Sequence, residues 1–307
     1  MNPGQGLLAL MLIGLAIVAL VYVRNRLRAD AAAMSNSIRC PLPSCKTPPS
    51  PNLVIPPKPA ILWPLDTKSY SYHLALMNFE ALFIAASHAG RAVVPPHGTD
   101  VVVELATPAY PHLGVVCSTG TSLIVAFRGT QHLDEIFKDL DTKQVEFSSP
   151  LVPTGGRARP PRVHAGFFSV YQSVQETLMS SVQGTQAASV VFIGHSLGSA
   201  LAVLGAVSLK LASPLTDVSV ITYASPRIGD AAWVDLVNKS VTHIRFENAS
   251  DEVPMFPAPV VPNTSDYSHP YTYCQSGVVI GFQQNWESTL NNHVIDNYLS
   301  WLQQCKV

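Results

Sequence analysis

The stretch "VVFIGHSLGSALAVLG", residues 190–205, limits the architecture of this chain more than any other. Val190, Val191, Phe192 and Ile193 form an unbroken apolar run, the pattern of a strand buried on both faces of a parallel sheet. From Leu197 the spacing changes. Ala200, Leu201, Val203, Leu204, Val207 and Leu211 suit a helix buried on most sides. A strand that passes so directly into a helix needs a tight turn, and the residue at its apex takes a strained backbone conformation. Gly194 and Gly198 flank the apex and let strand and helix approach closely. The spacing G-x-S-x-G puts Ser196 at the tip of a nucleophile elbow, its hydroxyl presented to a cleft. The helix start behind it offers N–H groups without carbonyl partners and a positive dipole end, suited to an oxyanion. An incidental serine in a glycine-rich turn would fit the five residues alone; the strand before and the helix after favour the elbow.

At 307 residues and 47% hydrophobic content, the chain can bury one large core or two small ones. A formal net charge of −1 implies no polyanion such as nucleic acid as partner. There is no zinc-type cysteine spacing, P-loop or dinucleotide fingerprint, so no metal and no organic cofactor is expected.

Residues 1–28 are a separate object. Leu7–Val23, "LLALMLIGLAIVALVYV", carries no charge, and "RNRLR" comes at once after it. As a helix this run would span about 25 Å, at the short end for a bilayer crossing. A cleaved signal would place basic residues before the run and a small-residue site directly after it. Here the arginines come after, and "DAAA" lies beyond them. The expectation is an N-terminal transmembrane helix that keeps the protein at a membrane, with a cleaved signal sequence and secretion as the alternative. Sidedness stays open. Arg24, Arg26 and Arg28 favour the cytoplasm for the remainder of the chain. Sequons at Asn238, Asn248 and Asn263, and two potential disulfides among Cys40, Cys45, Cys274 and Cys305, favour the opposite side. Cys117 sits in a predicted strand and would stay a thiol. Residues 29–64 form a linker. Its part from 41 to 64 holds nine prolines and should be a stiff, extended spacer. The globular part covers 65–307.

In that part, "YHLALMNFEALFIAASHAG" predicts an amphipathic helix ending at Gly90. "DVVVEL", "GVVCS" and "TSLIVAFRGT" read as strands, the last two joined by a hairpin turn at "STGT". "FFSVYQSVQETLMSSVQ" has helical spacing, "DVSVITYASP" and "VTHIRFEN" read as strands, and "HVIDNYLSWLQQC" as a final helix. Strands alternating with helices imply an α/β fold, with a mostly parallel central sheet and helices on both faces. In such sheets a site lies at the C-terminal ends of the strands.

A serine nucleophile needs a histidine base, and the base needs an orienting carboxylate. Behind an elbow of this kind the chain order is Ser, then Asp or Glu, then His. Asp251 and Glu252 in "HIRFENASDEVP" lie just after a strand; Asp251 is preferred and Glu252 comes next. Asp217 precedes its strand, at the wrong end, and Asp230 reads as a helix cap. Two histidines remain. His293, after the last strand, is preferred over His269. His195 cannot turn back to Ser196 and reads as packed support. One oxyanion donor should be the N–H of Leu197. The other should be that of Thr130, which comes after a buried strand and Gly129. Arg128 reads as a structural ion-pair residue. After Thr130, Leu133, Ile136, Phe137 and Leu140 fall at i, i+3, i+4 and i+7. This stripe is either an ordinary surface helix or a lid over the cleft, Gln131 to Asp141, whose apolar face meets lipid when open.

"IVAFRGT", "VHAGFFSVY", "GHSLGSALA", "YASPRIGD", "NASDEVPMFP" and "NNHVIDNYL", in this order, resemble the successive motifs of the class 3, or fungal-type, lipases. The likeness covers roughly residues 120–300. It implies an α/β-hydrolase domain over 65–307 that cleaves acyl esters of glycerolipids or phospholipids. It also implies a triad of Ser196, Asp251 and His293, oxyanion donors at Thr130 and Leu197, and a lid after "FRGT". His269 resembles a non-catalytic family histidine. Ser199 departs from the glycine often found there. Two other readings remain: an esterase or thioesterase for soluble acyl substrates, and a non-catalytic, membrane-tethered lipid-binding module.

Overall fold

Residues with alternating burial decide which side of a sheet each strand serves, and here both sides are covered. The computed structural model describes residues 100–118, 122–130, 142–147, 160–185, 187–285 and 288–304. The apolar run Leu7–Val23, the proline-rich linker, the helix predicted to end at Gly90, most of the "STGT" turn and the segment 131–141 lie outside them. Apart from Ala258–Val260, the described residues belong to one compact unit.

The strands of the main sheet are β1 (Asp100–Leu105), β2 (Gly114–Ser118) and β3 (Ser122–Phe127), then β6 (Ser189–His195), β7 (Asp217–Tyr223), β8 (Thr242–Asn248) and β9 (Val278–Phe282). Between β3 and β6, a short antiparallel pair is made by β4 (Gln144–Glu146) and β5 (Arg162–His164). The seven strands lie in the order β1-β2-β3-β6-β7-β8-β9. β1, β2 and β3 pair antiparallel; from β3 to β9 every pairing is parallel. Phe127 lies opposite Gly194, His195 opposite Tyr223, and Phe282 opposite Asn248. The parallel strands therefore release their chains at one common edge.

One face of the sheet presents Val116, Val125, Phe127, Val190, Phe192, Val218 and Val220 to three helices. Helix α1 (Ala165–Thr185) contributes Phe167, Tyr171, Val174, Leu178 and Val182, a single stripe at three- and four-residue spacing. Helix α2 (Leu197–Ala212) is buried continuously from Gly198 to Leu209. Helix α3 (Ala231–Ser240) is capped, as expected, by Asp230, whose carboxylate accepts from Trp233 N at 2.8 Å. The other face presents Val115, Ile124, Val191, Ile193, Ile221 and Phe246 to Tyr298 and Trp301 of the last helix. The Trp301 ring stacks on Phe282 at 4.3 Å between centroids. The expected α/β fold with helices on both faces is what the described residues form. Among them no helix is long and apolar enough to cross a membrane.

The final helix is not continuous. It is two: α4 (Thr289–His293), capped by Ser288, and α5 (Ile295–Gln304). Val294 between them is extended, at φ −60° and ψ 133°. His293 is thus the last residue of a five-residue helix, not the first of a long one. The break lets His293 turn towards β8 while Tyr298 packs under the sheet.

Two glycine substitutions separate backbone contact from backbone freedom. A Cβ on Gly198 would lie 2.2 Å from Phe127 O and 2.6 Å from Arg128 O. Gly198→Ala should cost about 3 kcal/mol in urea unfolding, because only backbone could move away. Gly184, exposed in α1, has nothing within 4 Å of such a Cβ. Gly184→Ala should add about 0.5 kcal/mol. Equal effects of the two changes would contradict this packing.

Candidate active site

The chain reverses at Ser196, whose φ of 57° and ψ of −125° are costly for a residue with a Cβ. The turn is held by Ser196 N donating to Tyr223 O and Ser199 N to Ser196 O, both at 3.0 Å. It also needs bare glycines, since a Cβ on Gly194 would lie 2.2 Å from Gly198 O. Ser199, where a glycine is often found in the family, adds its own ties. Its buried hydroxyl lies 2.7 Å from Gly194 O and 2.9 Å from Tyr223 O, tying the elbow to β7. Ser196 itself is 1% exposed, and its Oγ has no hydrogen-bond partner among the described residues.

Asp251 sits in the turn after β8, its N–H donating to Asn248 O at 2.9 Å. Its Oδ1 accepts from Val253 N at 2.9 Å. Its Oδ2 accepts from Tyr298 Oη at 2.7 Å and from His293 Nδ1 at 2.8 Å. The carboxylate can only accept, so the proton of His293 lies on Nδ1 and Nε2 is left with a lone pair. Nε2 is buried and has no partner among the described residues. The runners-up are elsewhere. Glu252 points to solvent, and His269 is exposed and paired with Asp266 at 2.7 Å. Asp217 opens β7, at the opposite edge of the sheet.

The loop after β3 lies against the elbow. A Cβ on Gly129 would meet His195 Nδ1 at 3.1 Å and Ser196 Cβ at 3.3 Å. Arg128 makes no ion pair among the described residues, contrary to expectation. It donates to three backbone carbonyls instead: His112 at 2.7 Å, Gly129 at 2.9 Å and Pro111 at 3.1 Å. Such a loop leaves carbonyls that a planar five-donor group can collect, which a carboxylate partner would not do. In a trans peptide C=O and N–H point in opposite directions. By holding Gly129 O, Arg128 therefore turns Thr130 N–H away from itself. Thr130 Oγ1 is buried without a partner among the described residues. Leu197, the first residue of α2, has no carbonyl of its own helix for its N–H. The stripe of Leu133, Ile136, Phe137 and Leu140 lies outside the described residues.

Three contacts here escaped the sequence reading. Tyr298 reaches Asp251 from α5. His195 lies 4.6 Å from His293 between ring centroids, and its Nε2 donates to His293 O at 2.8 Å. Asn248, read as a sequon, is buried, and its amide donates to Asn292 O at 3.2 Å. None has a local signal, because each partner is more than forty residues away in the chain. Of the five cysteines, Cys117 is buried and its thiol is pushed up to about 12 by that burial. Cys40, Cys45 and Cys305 lie outside the described residues. No group of His, Cys, Asp or Glu among the described residues could hold a metal ion.

Burial governs the charges around the site. It raises the Tyr298 phenol, with Asp251 adding to the effect, so Tyr298 stays a donor. Burial, then the nearby His293, hold His195 well below its usual value. Burial, then Arg245, lower His243 to about 3; its ring sits between Thr222 Oγ1 at 2.9 Å and Ser276 Oγ at 3.2 Å. A histidine neutral in the fold but free to take a proton once unfolded favours unfolding as pH drops. For His243 the window runs from about 6.5 down to about 3. At pH 5 this histidine alone should lower stability by about 2 kcal/mol relative to pH 7. Urea midpoints of the native protein and His243→Gln at both pH values check it. An identical acid loss in the two proteins would contradict the assignment.

The family model described as "Lipase (class 3)" matches residues 124–261. Phospholipase A1-II 4 of Oryza sativa subsp. japonica is 30% identical in an alignment 181 positions long that covers 50% of this chain and 44% of that protein. Lipase A of Sodiomyces alcalophilus is 28% identical in an alignment 163 positions long that covers 44% of this chain and 39% of that protein. The chain thus spans less than half the length of these curated relatives. Lipase II from Rhizopus niveus superimposes with a TM-score of 0.56 at 19% identity, over 75% of this chain and 94% of that one, a likeness of fold.

Proposed function

We propose that this chain, which belongs to the class 3 lipase family through residues 124–261, is a serine hydrolase of lipid acyl esters. One observation carries the reading: the buried series Tyr298–Asp251–His293 ends in an Nε2 with no partner among the described residues, at the same sheet edge as Ser196 Oγ, which likewise has none among them. His293 Nε2 takes the Ser196 proton as Oγ attacks the acyl carbonyl carbon. Asp251 fixes the tautomer and stabilises the imidazolium. The N–H groups of Leu197 and Thr130 receive the oxyanion. His293 then gives its proton to the leaving alkoxide, and an acyl-enzyme forms. Water, deprotonated by His293, attacks the acyl carbon; the bond to Ser196 Oγ breaks, His293 returns its proton to that oxygen, and the acid leaves. The donor set needs no metal or organic cofactor.

The triad residues Ser196, Asp251 and His293 are each at most 2% exposed, so an acyl chain reaches Ser196 only after something moves. The segment Gln131–Asp141 comes directly after the oxyanion loop and carries the Leu133, Ile136, Phe137, Leu140 stripe. In our reading it is the lid. Opening would expose the stripe at about 25 cal/mol per Å² unless lipid covers it. Lipid therefore shifts the population to the open form. The Leu7–Val23 run holds the domain at a bilayer, with the proline-rich linker as spacer.

Ser196→Ala and His293→Ala should each lower turnover of a soluble ester on the order of 10⁶-fold, because triad members act as a unit. His269→Ala should have little effect. A folded His293→Ala protein that outperforms His269→Ala would sink the assignment.

The lid makes a separate prediction. Rate measured against ester concentration through the solubility limit should jump at that limit in the native protein. Phe137→Asp should flatten the jump and spare the soluble range. A smooth saturating curve in the native protein would favour an esterase for soluble substrates.

A further inference from the structure

We infer that His195 and Asn248 are positioning residues that hold His293 by the two carbonyls ending its helix; the inference rests on the hydrolase reading above. Helix α4 has five residues, too few to be stable alone, and its last carbonyls have no partners within it. Two of them are met by side chains from the strands that carry the rest of the triad. His293 O accepts from His195 Nε2 at 2.8 Å, and His195 immediately precedes Ser196. Asn292 O accepts from Asn248 Nδ2 at 3.2 Å, and Asn248 stands three residues before Asp251. The base is thereby referenced to the nucleophile by one tie and to the acid by the other.

Both ties are themselves constrained. A carbonyl acceptor requires the His195 proton on Nε2, and burial keeps that ring neutral. Asn248 spends every polar group on the site. Its Oδ1 accepts from Ser250 N at 3.2 Å and Gln284 N at 3.0 Å. Its N–H donates to Tyr298 Oη at 3.1 Å, and its carbonyl accepts from Asp251 N at 2.9 Å. One side chain thus spaces the Asp251 turn, the segment after β9 and the His293 helix. At 1% exposure the side chain leaves no room for a glycan in this arrangement.

The test is steady-state kinetics on a soluble ester, with unfolding curves for every variant. His195→Ala and Asn248→Ala should each lower kcat by about 10- to 100-fold, the cost of a base displaced by about 1 Å, with KM nearly unchanged. His195→Gln restores an N–H near the Nε2 position and should recover most of the loss. Asn248→Asp keeps the shape and Oδ1 but loses the donor, and should resemble Asn248→Ala. The double alanine variant should lose less than the product of the single losses, since either cut already frees the helix. If an alanine variant fails to fold, His195→Gln and Asn248→Asp decide alone, the first active and the second impaired. Unchanged kcat in folded His195→Ala, losses confined to KM, or no gain from glutamine over alanine would overturn the inference. A folded native protein without hydrolytic activity would instead remove the reading beneath it.

Discussion

Helix α2 rests on the backbone of β3 at Gly198, where even a methyl group would collide with two carbonyls. Most of the site depends on this contact. It sets the start of α2 beside the loop of Arg128, Gly129 and Thr130, so both proposed oxyanion donors come from neighbouring backbone. It also forces the tight reversal at Ser196, whose positive φ costs about 1–3 kcal/mol. The packed sheet and the hydrogen bonds from Ser196 and Ser199 to β7 hold that strain. A larger residue at either flanking glycine would relax the turn and withdraw the serine from the sheet edge.

The acid–base half of the site depends on a different physics. A buried carboxylate is costly unless its lone pairs are filled. Asp251 receives donors from a backbone N–H, a phenol and an imidazole. These charge-assisted bonds fix the carboxylate and decide the His293 tautomer in the same stroke. The pairing also explains why α5 must break away from α4 at Val294. Tyr298 can rise to Asp251 from below only if its helix starts afresh after the histidine.

The elbow was legible in the sequence because strand, glycines, serine and helix are contiguous there, and each step has its own local period. Six of the seven strands of the sheet were legible for the same reason, as was Asp230 as a cap; Val278–Phe282 was not marked out. The preference for Asp251 and His293 rested on chain order, and the structure brings those two side chains together. What escaped was non-local. Arg128 was expected to find a carboxylate, yet its partners among the described residues are carbonyls of a loop sixteen and seventeen residues earlier and its own neighbour. The last helix read as continuous because Val294 has no breaker chemistry; tertiary pairing at Asp251 overrides its local preference. His195 read as a support residue and Asn248 as a sequon, and Tyr298 had no reading beyond its place in the last helix.

The central claim is that Ser196 is activated by His293 at an oxyanion site. A p-nitrophenyl alkylphosphonate ester tests it in one step: Ser196 Oγ would bond to phosphorus as p-nitrophenolate leaves, its proton passing to His293. The release of one p-nitrophenolate per chain, with the phosphonyl mass mapped to the peptide bearing Ser196 and no release from His293→Ala, is the predicted result. Stoichiometric release with the adduct on another residue, or undiminished release from folded His293→Ala, would contradict it.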